Sequence, residues 1–164
     1  MENYRWLAGL IAAHPDGQVV GRTRLQKEVK LLQSLGFPTD YAYMIHFYGP
    51  YSEGLHSDIG LLEGMGFVTE EECLGQGGNP YYIIETCDRA PSADVSEFNE
   101  KISLMVKADS VVLELAATYD AFRDTGADHE DALRRVRRKK GSKCDDGNLG
   151  AALSLLGNLE LQAN

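Results

Sequence analysis

Between residues 31 and 100 the chain has one basic residue, Arg89, against twelve acids. The flanking segments differ: residues 1–30 carry five Lys or Arg against three acids, and residues 101–164 carry ten against ten. The net charge of −9 is therefore concentrated in the middle of the chain, and a middle segment so short of cations is poorly suited to meet a polyanion. Cysteine is scarce too. Cys73, Cys87 and Cys144 form no CxxC pair, so neither a disulfide framework nor a zinc or other metal site is expected. Cys73 and Cys87 fall near the two ends of a predicted hairpin and are candidate neighbours, with buried or idle thiols the simpler expectation. No run of eighteen apolar residues exists and the N-terminus has no basic-then-apolar signal pattern, so a soluble cytoplasmic protein with no membrane partner is expected. HExxH, GxSxG and Walker patterns are absent, and GQGG at 75–78 lies between two predicted strands, where it reads as a hairpin turn rather than a phosphate loop. No enzymatic activity and no cofactor are expected.

Apolar residues make up 43% of the 164 positions, enough to bury the core of one domain, or of one domain with an extension. Residues 2–14 predict a helix with Leu7, Leu10, Ile11 and His14 on one face, stopped by Pro15, Asp16 and Gly17. Residues 22–35 predict a second, striped by Leu25, Val29 and Leu32, with Arg22, Arg24, Lys27 and Lys30 on its outer face. The aromatic run 41–48, YAYMIHFY, reads as a buried extended segment or a short turn of helix. A rigid Gly49-Pro50 turn follows, and Ser52 then caps a third helix carrying Leu55, Ile59 and Leu62. Val68 and YYIIE at 81–85 begin two strands of a hairpin. Beyond Pro91 every signal is helical: Ser92 or Asp94 as a cap for Val95 to Val106, then Val112 to Phe122, a basic helix after Asp128, and a last helix over about residues 148–161. The expected fold is α+β and mostly helical, a winged helix-turn-helix core over residues 1–90 with a two-stranded wing, followed by a helical region over 91–164. That region packs on the core or on a second copy of the chain, giving a homodimer in the latter case.

The run LQKEVKLLQSLGF, then HFYGPYS, a short helix, an aromatic strand, LELAATYDAF and the basic stretch RRVRRKK together resemble the YwgA-like family of small bacterial and archaeal proteins, and more distantly the phage-associated antitoxin-like domain group. The resemblance covers nearly the whole chain. It implies a winged-helix-like core with a helical C-terminal region, and it carries over no reaction and no catalytic residues.

A winged helix that reads DNA lines its third helix with Arg, Lys, Asn or Gln, because phosphates and base edges need donors. Here that helix offers Glu53, His56, Ser57, Asp58 and Glu63, which disfavours the usual mode. The leading functional reading is a regulator or adaptor that contacts DNA through basic residues elsewhere: Arg22, Arg24 and Lys27 early, and Arg134, Arg135, Arg138 and Lys139 late, provided that the two groups share a face. The simpler reading of the late group is a solvated helix face complementing the helix dipole. The alternative function is a protein-binding adaptor whose acidic wing side and YGPYS turn, with Tyr48, Tyr51 and His56, meet a basic partner. The simpler reading of those rings is packing of the turn against the second helix, and that of a histidine beside aromatics is a hydrogen-bonded core residue.

Overall fold

The computed structural model of the chain describes residues 2–161, and side-chain caps start four of the seven α-helices among them. The elements in order are α1 (Asn3–Ala13), β1 (Gln18–Val20), α2 (Arg22–Ser34), β2 (Met44–His46), β3 (Gly49–Tyr51), α3 (Glu53–Gly64), β4 (Val68–Leu74), β5 (Pro80–Thr86), α4 (Asn99–Lys107), α5 (Ser110–Asp124), α6 (His129–Lys140) and α7 (Asp146–Asn158). Ser52 Oγ accepts the Leu55 N–H at 3.2 Å to open α3, as the sequence predicts. Asp109, Asp128 and Asp145 accept from Val111, Asp131 and Asn148 in the same way to open α5, α6 and α7. The architecture is α+β and mostly helical, with small antiparallel sheets. No described helix is long and apolar enough to cross a membrane.

β1, β5 and β4 form one antiparallel sheet in that order, with Val19 opposite Ile84 and Ile84 opposite Glu70. The expected two-stranded hairpin is β4–β5, and Gln18–Val20, too short to show a periodicity, adds a third strand to its edge. β2 and β3 make a separate two-stranded hairpin. Pro50 lies inside β3 opposite Ile45, so the turn sits at Phe47-Tyr48 and not at Gly49-Pro50. A two-stranded ribbon has only outer edges, which is where a residue without an N–H is tolerated. The segment 41–48 is extended, but only Tyr41 is buried; Met44, Phe47 and Tyr48 are exposed, contrary to the expected buried run. Cys73 pairs across from Tyr81 near one end of β4–β5 while Cys87 follows the other end, so they are not neighbours. α4 begins later than expected: Asp94 accepts from the Ser96 N–H at 2.9 Å and starts a short 3-10 turn, Ser96–Phe98, which passes directly into the helix.

α2 and α5 lie together at the centre. α2 contacts α5, α4, β1 and β3, and α5 also packs against α6 and α7. Leu25, Val29 and Leu32 are buried as their spacing predicts, but Gln26, Lys27, Glu28 and Lys30 are buried with them. The expected outer face of α2 is therefore covered, because α4, α5 and β3 occupy the side that a single apolar stripe would leave to water. Most of these polar groups find partners inside. Glu28 meets His14 Nε2 at 2.6 Å and Arg24 Nε at 3.2 Å. Arg24 Nη2 donates to the carbonyls of Met105, Val106 and Ala108 at 2.6–3.1 Å, closing the C-terminal end of α4. Lys30 Nζ reaches Asp120 at 2.6 Å and Asp124 at 2.7 Å on α5. On α7, Leu149, Ala152, Leu155 and Leu156 are buried within this one chain.

Candidate functional site

The β2–β3 hairpin lies on α2 and α5 with its backbone close to both. Gly49 has φ +95°, and a Cβ there would stand 2.7 Å from Thr118 Oγ1 and 3.3 Å from Lys27 Cε, so only glycine fits. Gln26 grips the exit of the hairpin: its Nε2 donates to the Ser52 carbonyl at 2.9 Å and its Oε1 accepts the Ser52 N–H at 2.8 Å. Lys140, at the C-terminal end of α6, donates to the Phe47 carbonyl at 3.0 Å. With its backbone held, the tip presents two rings to water, Phe47 at 88% and Tyr48 at 63% exposure. The Lys143 ammonium sits 5.9 Å from the centre of the Tyr48 ring, within cation–π range.

A cavity of about 290 Å³ opens between the start of α2, this hairpin and the start of α3. His46, Tyr48, Tyr51 and His56 contribute rings to its wall, with Arg22 and Lys27 also lining it. His46 and Tyr51 have ring centres 5.1 Å apart, and Tyr51 and His56 6.2 Å. Arg22 is positioned by Glu70, to which its Nε donates at 2.8 Å, and lies 3.5 Å from Glu63. Its Nη1 lies 3.2 Å from His56 Nδ1; a guanidinium only donates, so Nδ1 accepts and the imidazole proton is on Nε2.

Lys27 is 3% exposed, and its ammonium donates one long hydrogen bond, 3.4 Å, to the Pro50 carbonyl. Burial lowers its pKa to about 8; Lys140 and Lys143 act in the same direction, while Glu114 opposes them. Glu114 on α5 lies 3.2 Å from Lys140 and 3.6 Å from Lys143. Burial likewise holds Lys140 below the ordinary lysine value despite that carboxylate. Two ammonium groups thus pair with one carboxylate at the back of the hairpin, and Lys27 feels its charge from beyond ion-pair distance.

The two basic groups read from the sequence have different surroundings. Arg22, Arg24 and Lys27 are engaged within the fold, as above. On α6, Arg134, Arg135, Arg137, Arg138 and Lys139 are exposed, with Asp131 of the same helix pairing with Arg134 and, at 3.1 Å, with Arg135. Tyr48, Tyr51 and His56 come together around the cavity, whereas Asp58 accepts the Tyr41 hydroxyl at 2.6 Å and lines a different cleft. Sequence reasoning passed over Phe47, Gln26 and Glu114. The last had a usable signal, as the lone acid inside the apolar run VVLELAA. Among the described residues no group of three or more His, Cys, Asp or Glu is placed to hold a metal ion.

No family model matches the chain. It is 33% identical over 117 residues to the uncharacterized protein YwgA of Bacillus subtilis (strain 168), a match covering 66% of this chain and 70% of that protein.

Proposed function

The chain belongs to the YwgA family, and from that premise we propose that it is a non-enzymatic winged-helix regulator or adaptor that binds nucleic acid through α6 and the tip of the β2–β3 hairpin. The order α1, β1, α2, α3, β4, β5, with β1 joined to β5, supports a winged-helix core over residues 1–90, with β2–β3 inserted before the third helix and residues 91–164 as its helical extension. α3 contains no Lys or Arg, so groove reading by that helix is not the mode proposed.

One observation carries the reading: the exposed cations of α6 run toward two exposed aromatic rings, and Lys140 and Lys143 join the two features. Cations that follow a phosphate backbone beside rings on which bases stack are the physical parts of a single-strand binding surface. Unpaired bases present their faces to Phe47 and Tyr48, whereas a duplex hides them. The proposed ligand is therefore single-stranded DNA, bound with weak sequence preference.

Fluorescence anisotropy with labelled single-stranded and duplex oligonucleotides, over a salt series, tests this. The expected result is preference for the single strand and a log–log salt slope of about −0.7 for each phosphate neutralised. Arg134→Glu, Arg135→Glu, Arg138→Glu and Lys139→Glu combined should abolish binding, and Phe47→Ala with Tyr48→Ala should remove the single-strand preference, each ring being worth about 1–3 kcal/mol. Absence of binding at low salt sinks the proposal. A protein-binding reading is favoured by a separate feature, the exposed Leu74 and Tyr82 beside Glu72 on one face of β4–β5, a half-apolar acidic surface suited to a basic partner.

A further inference from the structure

The cavity beside Lys27 differs from the other places among the described residues where a Lys or Arg is buried. Arg24, Lys30 and Lys140 are each buried or half-buried against a carboxylate: Glu28, Asp120 and Glu114 respectively. Lys27 is as deeply buried as any of them, yet among the described residues no carboxylate lies within ion-pair distance of it. Its one hydrogen bond is the long contact to Pro50, in the stretch of chain between Gly49 and Tyr51 of the cavity wall. An ammonium group held out of water with most of its donor capacity unused is costly unless an acceptor arrives. A second, independent feature points the same way. The chain has 25 acids against 16 Lys and Arg, and none of those acids lines this cavity.

We propose that this cavity is a binding site for a small phosphate monoester attached to a planar ring, of nucleoside monophosphate size, with the Lys27 ammonium as the phosphate anchor. The phosphate is favoured over a carboxylate by charge. Lys27 lies in the field of Lys140 and Lys143, which stand behind the cavity wall rather than in it, and Glu114 alone offsets them there, a local positive surplus that suits a group carrying nearly two negative charges. The Nε2–H of His56, left as a donor by the contact of Arg22 with Nδ1, is a second group for the same anion. The planar ring is favoured by the wall, where Tyr48, Tyr51 and His46 offer flat faces. A volume of about 290 Å³ is at the small end for ligand pockets, which suits one nucleotide and excludes a dinucleotide. The lowered pKa of Lys27 is the expected state of such an anchor with no anion beside it, and bound phosphate should raise it. The site does not depend on α6 as a nucleic-acid surface. The same chemistry occurs in a free nucleotide and at the 5′-phosphorylated end of a strand, which Phe47 and Tyr48 would flank.

Isothermal titration calorimetry on the full chain separates these cases. The probes are the four 5′-ribonucleoside monophosphates, the matching nucleosides, inorganic phosphate, and a short oligonucleotide with either a 5′-phosphate or a 5′-hydroxyl. At least one monophosphate is expected to bind ten-fold or more tightly than its nucleoside. Lys27→Met, which keeps the length and apolar stem of the side chain, should erase that difference with the melting temperature unchanged or raised. His56→Ala, at an exposed position, should weaken the monophosphate several-fold and serves if Lys27→Met does not fold. The four α6 charge reversals should leave monophosphate binding intact, so failure of the nucleic-acid reading and failure of this one give different results. Binding of the 5′-phosphorylated oligonucleotide alone, lost in Lys27→Met, assigns the same site to a strand end. Equal affinity for nucleoside and monophosphate, no binding of any phosphate-bearing probe at millimolar concentration, or full binding by Lys27→Met overturns the proposal.

Discussion

α2 and α6 are both basic helices, with four Lys or Arg in 13 residues and six in 12 respectively, and they end in opposite surroundings. In α6 the acids Glu130 and Asp131 occupy the first turn and four cations the last, so charge follows the helix dipole and the helix can stand in water. In α2 the first turn carries Arg22 and Arg24 and no acid, against the dipole. That arrangement is tolerated because Glu70 and Glu63 reach Arg22 from β4 and α3, and Arg24 meets Glu28 one turn further along α2 and the carbonyls at the end of α4. Arg24 and Lys30 thus act as internal fasteners, joining α2 to α4 and α5, while Arg134, Arg135, Arg137, Arg138 and Lys139 of α6 remain available to a partner. A basic helix is a binding surface only if the rest of the chain leaves it uncovered.

Substitutions in the two helices should have unequal effects. The largest effect is expected from Glu28→Ala, which removes the carboxylate shared by His14 and Arg24 and leaves two buried cationic groups without it. Breaking a buried pair in this way costs about 3–5 kcal/mol, to be read from the urea midpoint.

A smaller and reversible effect should follow from pH. Burial pushes the His14 pKa down, but the hydrogen bond and charge of Glu28, with the Leu10 carbonyl 2.8 Å from Nδ1, outweigh it and the net value is raised above 6.5. Both ring nitrogens face acceptors, as an imidazolium requires. A group whose folded pKa exceeds its unfolded one stabilises fully below the unfolded value, so this contribution is present below about pH 6.5 and is lost as pH rises through the folded value. Melting temperature should fall over that interval in the wild type, and the fall should be smaller in His14→Gln. A fall of equal size in both proteins would remove His14 as the cause.

The smallest effect on stability belongs to α6. Arg134→Ala, Arg137→Ala, Arg138→Ala and Lys139→Ala should each shift the unfolding free energy by no more than about 0.5 kcal/mol, because exposed charges in water contribute little. If any of them destabilises as much as Glu28→Ala, the contrast between the helices fails.

Local chemistry made several features legible. Ser52 announced the start of α3, Leu55, Ile59 and Leu62 its buried face, Asp128 the start of α6, and the aromatic strand at 81–85 its place in a sheet. These depend on neighbours within one turn of helix or one strand, which is the range that a sequence pattern samples. The candidate site was legible in part. His46, Tyr48, Tyr51 and His56 were visible as a cluster because they lie within eleven positions of one another around the hairpin. Phe47 was assigned to a buried run, since an apolar segment of eight residues has the same composition whether it is covered or, as here, forms an exposed hairpin tip.

By itself the sequence determined the helices, the caps that open α3 and α6, the acidic middle and the basic sixth helix, because propensity, capping and charge are properties of residues close together in the chain. Only the tertiary structure decided which basic side chains are free. Lys30 lies 90 positions from Asp120, Lys140 lies 93 from Phe47, and Arg24 lies more than 80 from the carbonyls it closes. Whether a charge is solvated, paired or stranded depends on what is brought over it across such separations, and no local periodicity records that.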